Sequence, residues 1–365
     1  MIVHASWGKY LRESVIHPKE LVHHIEIDVH ALQKVCEMYP MRINSYFLDL
    51  MKKKGAPLIQ QVVPDSRELE DGIGWIDPLA EEQNSPVANL IHRYPDRVLF
   101  LVSNQCGVYC RFCTRKRKIG KWDSIRDKEI EEGFYYIKNH KGVLDVLLSG
   151  GDPLLLSDER LKWILMKIKE IAHVEIIRIG TRIPSVLPQR VTTKLAGILG
   201  KCQNLYINVH FNHPDEITHE AERALCLLAE KGIPLGSQTV LLKGINDNAS
   251  VISQLMRRLL KMRVRPYYLL HADLVRGTDH FRTPIDVGLQ IMKHLRRTIS
   301  GMAVPTYILD LPGGGGKVPL LPEYIIQKTE EKIVIQNDQG RVYQYPNSRS
   351  SIPFEKLNYK ALIEN

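Results

Sequence analysis

No uninterrupted apolar run in the 365-residue chain is long enough to cross a bilayer, and its first residues, M-I-V-H-A-S-W-G-K-Y, lack the basic-then-apolar layout of a secretory leader. Both absences point to a cytoplasmic protein. Cysteine is also scarce: there are six, of which three are clustered and Cys36, Cys202 and Cys226 are scattered, so a disulfide framework is excluded and a reducing compartment fits. Low-complexity segments and repeats at solenoid periods are missing. Acidic residues are outnumbered, 41 against 50 Lys and Arg, for a net charge of +9 that peaks in the run Arg115-Lys116-Arg117-Lys118. No RNA-binding signature with interleaved aromatics accompanies that run, so nucleic acid is an unfavoured partner, and anionic cofactors or an acidic partner account for the same charge. Hydrophobic content of 44% and charged content of 25% are those of a globular protein with a sizeable core, either one large α/β barrel with appendages or two domains.

The chain is organised around residues 103–118, S-N-Q-C-G-V-Y-C-R-F-C-T-R-K-R-K. Cys106, Cys110 and Cys113 stand at C-x-x-x-C-x-x-C spacing, close enough for one loop to wrap one inorganic centre. Three thiolates are one short of a closed zinc site or a fully ligated four-iron cluster. On a [4Fe-4S] cluster that leaves one iron free to chelate a ligand, and the spacing resembles that of the radical S-adenosylmethionine (SAM) superfamily. The alternatives are a zinc site with a distant fourth ligand, or three unrelated thiols.

Up to about residue 96 the chain reads as mainly helical, with apolar positions three and four apart and a break at Pro40; residues 56–88 are loop-like and acidic. A strict alternation follows. Strand-like runs at 98–102, 144–148, 174–179, 205–209, 233–240 and 264–269 are each followed by a helix, near 125–139, 157–171, 189–200, 215–231, 247–261 and 284–299. Ser157 and Pro284 suit helix entries. A seventh run covers 304–309. This order predicts a parallel sheet with right-handed crossovers, barrel-like or doubly wound. Unusual polar residues fall at or near the strand carboxyl ends: the cysteine loop, Gly150-Gly151-Asp152, Arg182, His210 with Asn212 and His213, Gln238, Asp273 and Asp310. In a barrel those ends share one face, where catalytic groups converge. Residues 319–365 read as an extended structural segment with a hairpin turn at Asp338-Gln339-Gly340.

Two further motifs carry chemistry. Gly150-Gly151-Asp152 ends a buried strand where backbone can approach a ligand closely. The run L-D-L-P-G-G-G-G-K-V-P, residues 309–319, fails as a Walker A loop because Leu311 takes the first glycine position and Val318 replaces Ser/Thr. It leaves Lys317 on a flexible loop, able to form a Schiff base with a carbonyl cofactor when neighbours lower its pKa.

Together these blocks, with H-R-Y-P-D-R-V-L-F, I-R-I-G-T-R, V-H-F-N-H-P-D-E-I-T, P-L-G-S-Q-T-V-L-L-K-G-I-N-D and H-F-R-T-P, resemble the lysine 2,3-aminomutase family over about residues 75 to 325. The resemblance implies a partial (β/α)6 barrel of the radical SAM type over 97–318, a helical region over 1–96 and a C-terminal extension over 319–365. It implies a [4Fe-4S] cluster on Cys106, Cys110 and Cys113, SAM held by Gly150, Gly151, Asp152 and His210, and pyridoxal 5′-phosphate (PLP) on Lys317 with Arg93, Tyr94, Arg97 and Gln238 around it. Arg115 then pairs with the substrate carboxylate, and Asp273 and Asp310 receive the distant ammonium of L-lysine, which becomes β-lysine by radical migration of its amino group. Arginine or ornithine is an alternative substrate, as is a role in supplying β-lysine for elongation-factor modification; a non-catalytic iron–sulfur module that binds RNA is the remote one. A flavodoxin- or ferredoxin-type electron donor and a homo-oligomer are the implied partners. Longer members of the family carry a C-terminal cysteine cluster that helps bind zinc; no cysteine follows Cys226, so no stoichiometric zinc is expected. Leu270 stands where well-known lysine enzymes have a tyrosine.

Overall fold

A computed structural model describes residues 7–120, 125–337 and 339–347. The chain divides after Leu320 into two units. The first is built on a nine-stranded sheet in sequential order. Its strands are β1 (Leu90–Tyr94), β2 (Arg97–Ser103), β3 (Asp145–Gly150), β4 (Ile176–Thr181), β5 (Leu205–His210), β6 (Leu235–Leu241), β7 (Val264–His271), β8 (Thr306–Leu311) and β9 (Gly316–Pro319). Strands β2 to β8 are mutually parallel, whereas β1 and β9 run antiparallel at the two edges. The sheet curls into a half-barrel. Helices at Asp127–Asn139, Asp158–Lys169, Thr193–Leu199, His219–Glu230, Ala249–Lys261 and Ile285–Thr298 fill the crossovers, one per expected unit.

The alternation of side chains along each strand explains the layers. On β4, Ile177 and Ile179 are fully buried toward the helices while Arg178 and Gly180 face the barrel interior. The outward set joins Val98, Phe100, Val146, Leu148, Ile207 and Val209 to helix residues such as Phe134, Leu161, Ile164 and Leu225 in one continuous core. Each such aliphatic side chain contributes about 1.5–3 kcal/mol on burial. Helix starts follow local chemistry: Ser157, Thr192 and Thr218 accept hydrogen bonds from the backbone N–H groups of Arg160, Leu195 and Ala221. Pro284 occupies the N-cap position of the last helix without a side-chain cap.

The edge strands are additions to the expected pattern. In β1, His92, Arg93 and Tyr94 interrupt any apolar alternation. β9, G-K-V-P, is short and sets one β-branched residue, Val318, among a glycine, a lysine and a proline. The glycine run is therefore an ordered return rather than a flexible loop. Gly313, Gly314 and Gly316 take φ of 69°, 81° and 91°, conformations that side-chain-bearing residues avoid, and they fold the chain back so that Lys317 lies in register with Asp310.

Before the sheet, the helices Val29–Met38 and Ser45–Lys54 pack through Leu32, Val35, Phe47, Leu48 and Met51. Asn44 caps the second of these by accepting from Phe47 N–H, and its side-chain amide donates to Gly107 and Val186 carbonyls, each at 2.9 Å. The second unit is an antiparallel meander of β10 (Ile325–Lys328), β11 (Lys332–Gln336) and β12 (Val342–Pro346). The expected hairpin joins β11 to β12; Asp338 of its turn lies outside the described residues.

Candidate active site

The cysteine loop leaves the carboxyl end of β2 and is tied down from the N-terminal side. Tyr109 N–H donates to Arg42 O and Arg111 N–H to Gln61 O, both at 2.9 Å. The Arg111 side chain, 1% exposed, turns inward to Glu68, with Nη2 2.5 Å from Oε2; Lys116 Nζ lies 2.5 Å from the same oxygen and also donates to Gly277 O. Two residues of a basic, solvent-like sequence thus serve as internal anchors. Arg115 pairs with Glu81, Arg117 with Asp77, Glu81 and Glu82, and Lys118 with Glu82. The basic run is thus paired with acids within the chain.

Burial raises the Cys106 thiol well above its usual range and pushes Cys113 up to about 11. Such thiols ionise only when a cation takes the proton's place. Among the described residues no three His, Cys, Asp or Glu side chains converge as a ready-made metal cage. The loop offers three soft sulfurs, a donor set that suits iron–sulfur chemistry.

The glycine pair serves the loop's position. A Cβ at Gly150 would overlap the carbonyl oxygen of Ser103, and one at Gly151 that of Gln105, so only glycine lets β3 cross the start of the loop. Gly151 N–H donates to Ser103 O at 2.5 Å and Asp152 N–H to Gln105 O at 2.7 Å. The Asp152 carboxylate accepts from Thr181 Oγ1 and from the N–H groups of Leu154, Arg182 and Ile183. Burial nevertheless raises its pKa to about 6. His210, at the end of β5, shares a 2.9 Å hydrogen bond with Asn212 Oδ1; burial and the nearby Arg182 lower its pKa to about 4, so it is neutral.

Inside the half-barrel lies a cavity of about 890 Å³, reached by Arg93, Tyr94, Arg97, Thr114, Arg115, Gln238, Leu270, Asp273, Asp310 and Lys317. Nine of the residues singled out in the sequence therefore share one space, delivered by β1, β2, β6, β7 and the loop after it, β8, β9 and the cysteine loop. The thiols, Gly150 to Asp152 and His210 do not line it; they adjoin it, since Thr114 follows Cys113 and Ser149, another lining residue, precedes Gly150. At its edge Asp310, 4% exposed, pairs with Lys317 Nζ and with Arg93 Nη2 at 3.1 Å. The Tyr94 hydroxyl accepts from Lys317 N–H and from Arg93 Nη2, each at 3.1 Å, and the Arg97 guanidinium lies 4.1 Å from the centre of the Tyr94 ring. Asp273 accepts from Thr114 Oγ1 at 3.0 Å, and burial, reinforced by the charge of Asp310, pushes its carboxyl up to about 6.

Comparison with known proteins decides what this constellation belongs to. Residues 100–252 match the radical SAM superfamily model and residues 292–364 match a model described as lysine-2,3-aminomutase. The L-lysine 2,3-aminomutase of Methanococcus maripaludis is 48% identical over 86% of this chain and 74% of its own length. That of Acetoanaerobium sticklandii is 45% identical over 93% and 84%. The chain belongs to the lysine 2,3-aminomutase family. A glutamate 2,3-aminomutase from Clostridioides difficile is also 44% identical, over 85% of this chain and 74% of its own, so overall identity to an aminomutase does not distinguish an ammonium-tailed substrate from a carboxylate-tailed one.

Membership makes this aminomutase-family chain a radical SAM isomerase whose cofactors are a [4Fe-4S] cluster, SAM and, as the family trait, PLP. The residues present fit the cluster and PLP: three soft sulfurs on a pinned loop, and a lysine amine beside a cationic, tyrosine-backed wall with room for a ring and an amino acid. No helix among the described residues is long and apolar enough to span a membrane. Sequence reasoning missed Glu81, Gln61, Glu216 and Thr114. Glu81 sits in an acidic loop without periodicity. Gln61 and Glu216 are far from the cysteines in sequence, and only folding brings them to Arg182. Thr114 sat in plain view beside Cys113, where its hydroxyl had no visible partner.

Proposed function

We propose that this aminomutase converts L-lysine to β-lysine, and the observation that carries the reading is the pair of buried acids, Asp273 and Asp310, on one stretch of the cavity wall. Two neighbouring carboxylates, of which Asp273 is pushed up by burial and by the charge of Asp310, form a site that gains from an arriving ammonium and is penalised by a carboxylate. Glutamate is thereby disfavoured. Arg115 supports the opposite end: its Nη2 is paired with Glu81 at 2.7 Å, while its buried Nε has no hydrogen-bond partner, a donor left for the substrate carboxylate.

Lys317 is the attachment point for PLP, with Arg93, Arg97, Tyr94 and Gln238 around the cofactor and the forked guanidiniums suited to its phosphate. When bound, the cluster with SAM supplies a carbon radical able to take an unactivated β-hydrogen, and PLP carries the migrating nitrogen. Asp310 holds Lys317 in the cofactor-free chain.

The test is direct. Reconstituted, reduced protein is incubated separately with L-lysine, L-arginine, L-ornithine and L-glutamate, and α- and β-amino acids are separated chromatographically. β-Lysine as the main product is expected; β-glutamate as the main product would overturn the assignment.

A further inference from the structure

Arg182 belongs to none of the roles above, yet among the described residues it is the only side chain that hydrogen-bonds a sulfur of the cysteine loop. Its Nη1 donates to Cys110 Sγ at 2.8 Å. The guanidinium is buried, 7% exposed, with its carbon 5.2 Å from the centre of the Phe112 ring and 5.9 Å from that of Phe47. Its other terminal nitrogen is fixed by Gln61 Oε1 at 2.6 Å and Glu216 Oε2 at 3.4 Å. Glu216, fully buried, also accepts from Ser185 Oγ at 2.5 Å, Gln61 Nε2 at 2.9 Å and the N–H groups of Asn212 and His213. Gln61 and Glu216 thus hold the guanidinium from the side opposite the sulfur. Backbone adds a second fix, since Arg182 N–H donates to Asp152 at 2.7 Å.

We infer that Arg182, clamped by Gln61 and Glu216, is a positioning residue that sets the reduction potential of the cluster through Cys110, a role that rests on the cluster reading proposed above. One-electron reduction, by an external donor, places one more negative charge on the iron, sulfide and thiolate unit. A fixed cation in a site walled by two aromatic rings and shielded from water favours that added charge. An N–H···S bond also withdraws density from the thiolate. Both effects hold the potential higher than an uncharged neighbour would. Glu216 offsets part of the charge, and its distance from the sulfur, with the guanidinium between them, gives the cation the larger influence. The Nε of Arg182 is buried without a partner, so a direct contact with SAM is the competing role.

The deciding measurement is the midpoint potential of the reconstituted cluster, followed by electron paramagnetic resonance during a redox titration without SAM. Iron and sulfide content and SAM affinity are measured in parallel. Arg182→Met should load four irons yet show a reduced-to-oxidised ratio at fixed poise at least tenfold lower, 59 mV for one electron. Arg182→Lys, which keeps charge but not the fork, and Gln61→Leu, which keeps the charge but removes a tether, should shift the same way by less. Should Arg182→Met not take up iron, the other two variants decide: a lowered potential in either supports the role, and unchanged potentials in both overturn it. Weakened SAM binding with an unmoved potential would make Arg182 a SAM contact and overturn it as well. An unmodified chain that loads no cluster would instead overturn the proposed function, and this role with it.

Discussion

Replacing Asp273 by asparagine changes one charge and almost no volume, and the Asn Oδ1 can still accept the Thr114 hydroxyl that now lies 3.0 Å from the carboxylate. The change therefore probes charge alone. An ammonium about 4 Å from a carboxylate at an effective dielectric near 20 gains ~4 kcal/mol. Asp310 shares the ammonium and desolvation offsets part of the gain, so a loss of about 2–4 kcal/mol is expected, ~30- to ~1000-fold in kcat/KM for lysine. Glutamate turnover should rise or stay level. The carboxyl titrates near 6, pushed up by burial and by Asp310, so lysine turnover of the unmodified enzyme should fall as pH drops through about 6, and that acid limb should vanish in the variant. Stability moves oppositely. The folded pKa is raised above the ordinary 3.8, so the native state binds the proton more tightly, stability falls as pH rises from about 4 to about 6, and at pH 7 the ionised group is a liability. Removing the charge should stabilise the cofactor-free protein by roughly 2–3 kcal/mol at pH 7, at 1.36 kcal/mol per unit. The assays are chromatographic kinetics at several pH values and denaturant unfolding. If lysine and glutamate turnover fall by the same factor, or lysine by less than about threefold, the ammonium is bound elsewhere.

Two further outcomes are expected. Lys317→Met should abolish the PLP absorbance and borohydride trapping of cofactor while leaving iron content unchanged; trapped cofactor at full stoichiometry in the variant would place PLP on another amine. Glu68→Gln should cost about 3–5 kcal/mol in urea unfolding, because it leaves the buried cations Arg111 and Lys116 without their shared counter-ion; a loss below about 1 kcal/mol would mean that neither cation depends on it.

Much of this was legible in the chain itself because period and position carry physical meaning. Alternating strands and helices read correctly from Val98 to Leu309 because β2 to β8 are parallel, buried on their helix side and rich in valine, isoleucine and leucine. Cys106, Cys110 and Cys113 announce themselves by spacing. What stayed hidden depends on long-range encounters. Arg111 and Lys116 look like solvated surface until Glu68 is folded beneath them. The edge strands β1 and β9 carry too much charge or glycine to resemble strands. The glycines before Lys317 suggest mobility, yet their positive φ angles close a tight return, so that the ladder partner of Lys317 is the very Asp310 whose carboxylate faces it.

The two free edges of the half-barrel have a consequence for traffic. Strands β1 and β9 are not hydrogen-bonded to each other as a ladder; Arg93 and Tyr94 on one side meet Asp310 and Lys317 on the other through side chains and a single amide. A wall closed in this way can part by exchanging ion pairs for water, with no strand pairing broken. A bulky guest would find its least costly way in and out at such a seam, and the lysine that fastens it is the residue through which that guest would announce its arrival.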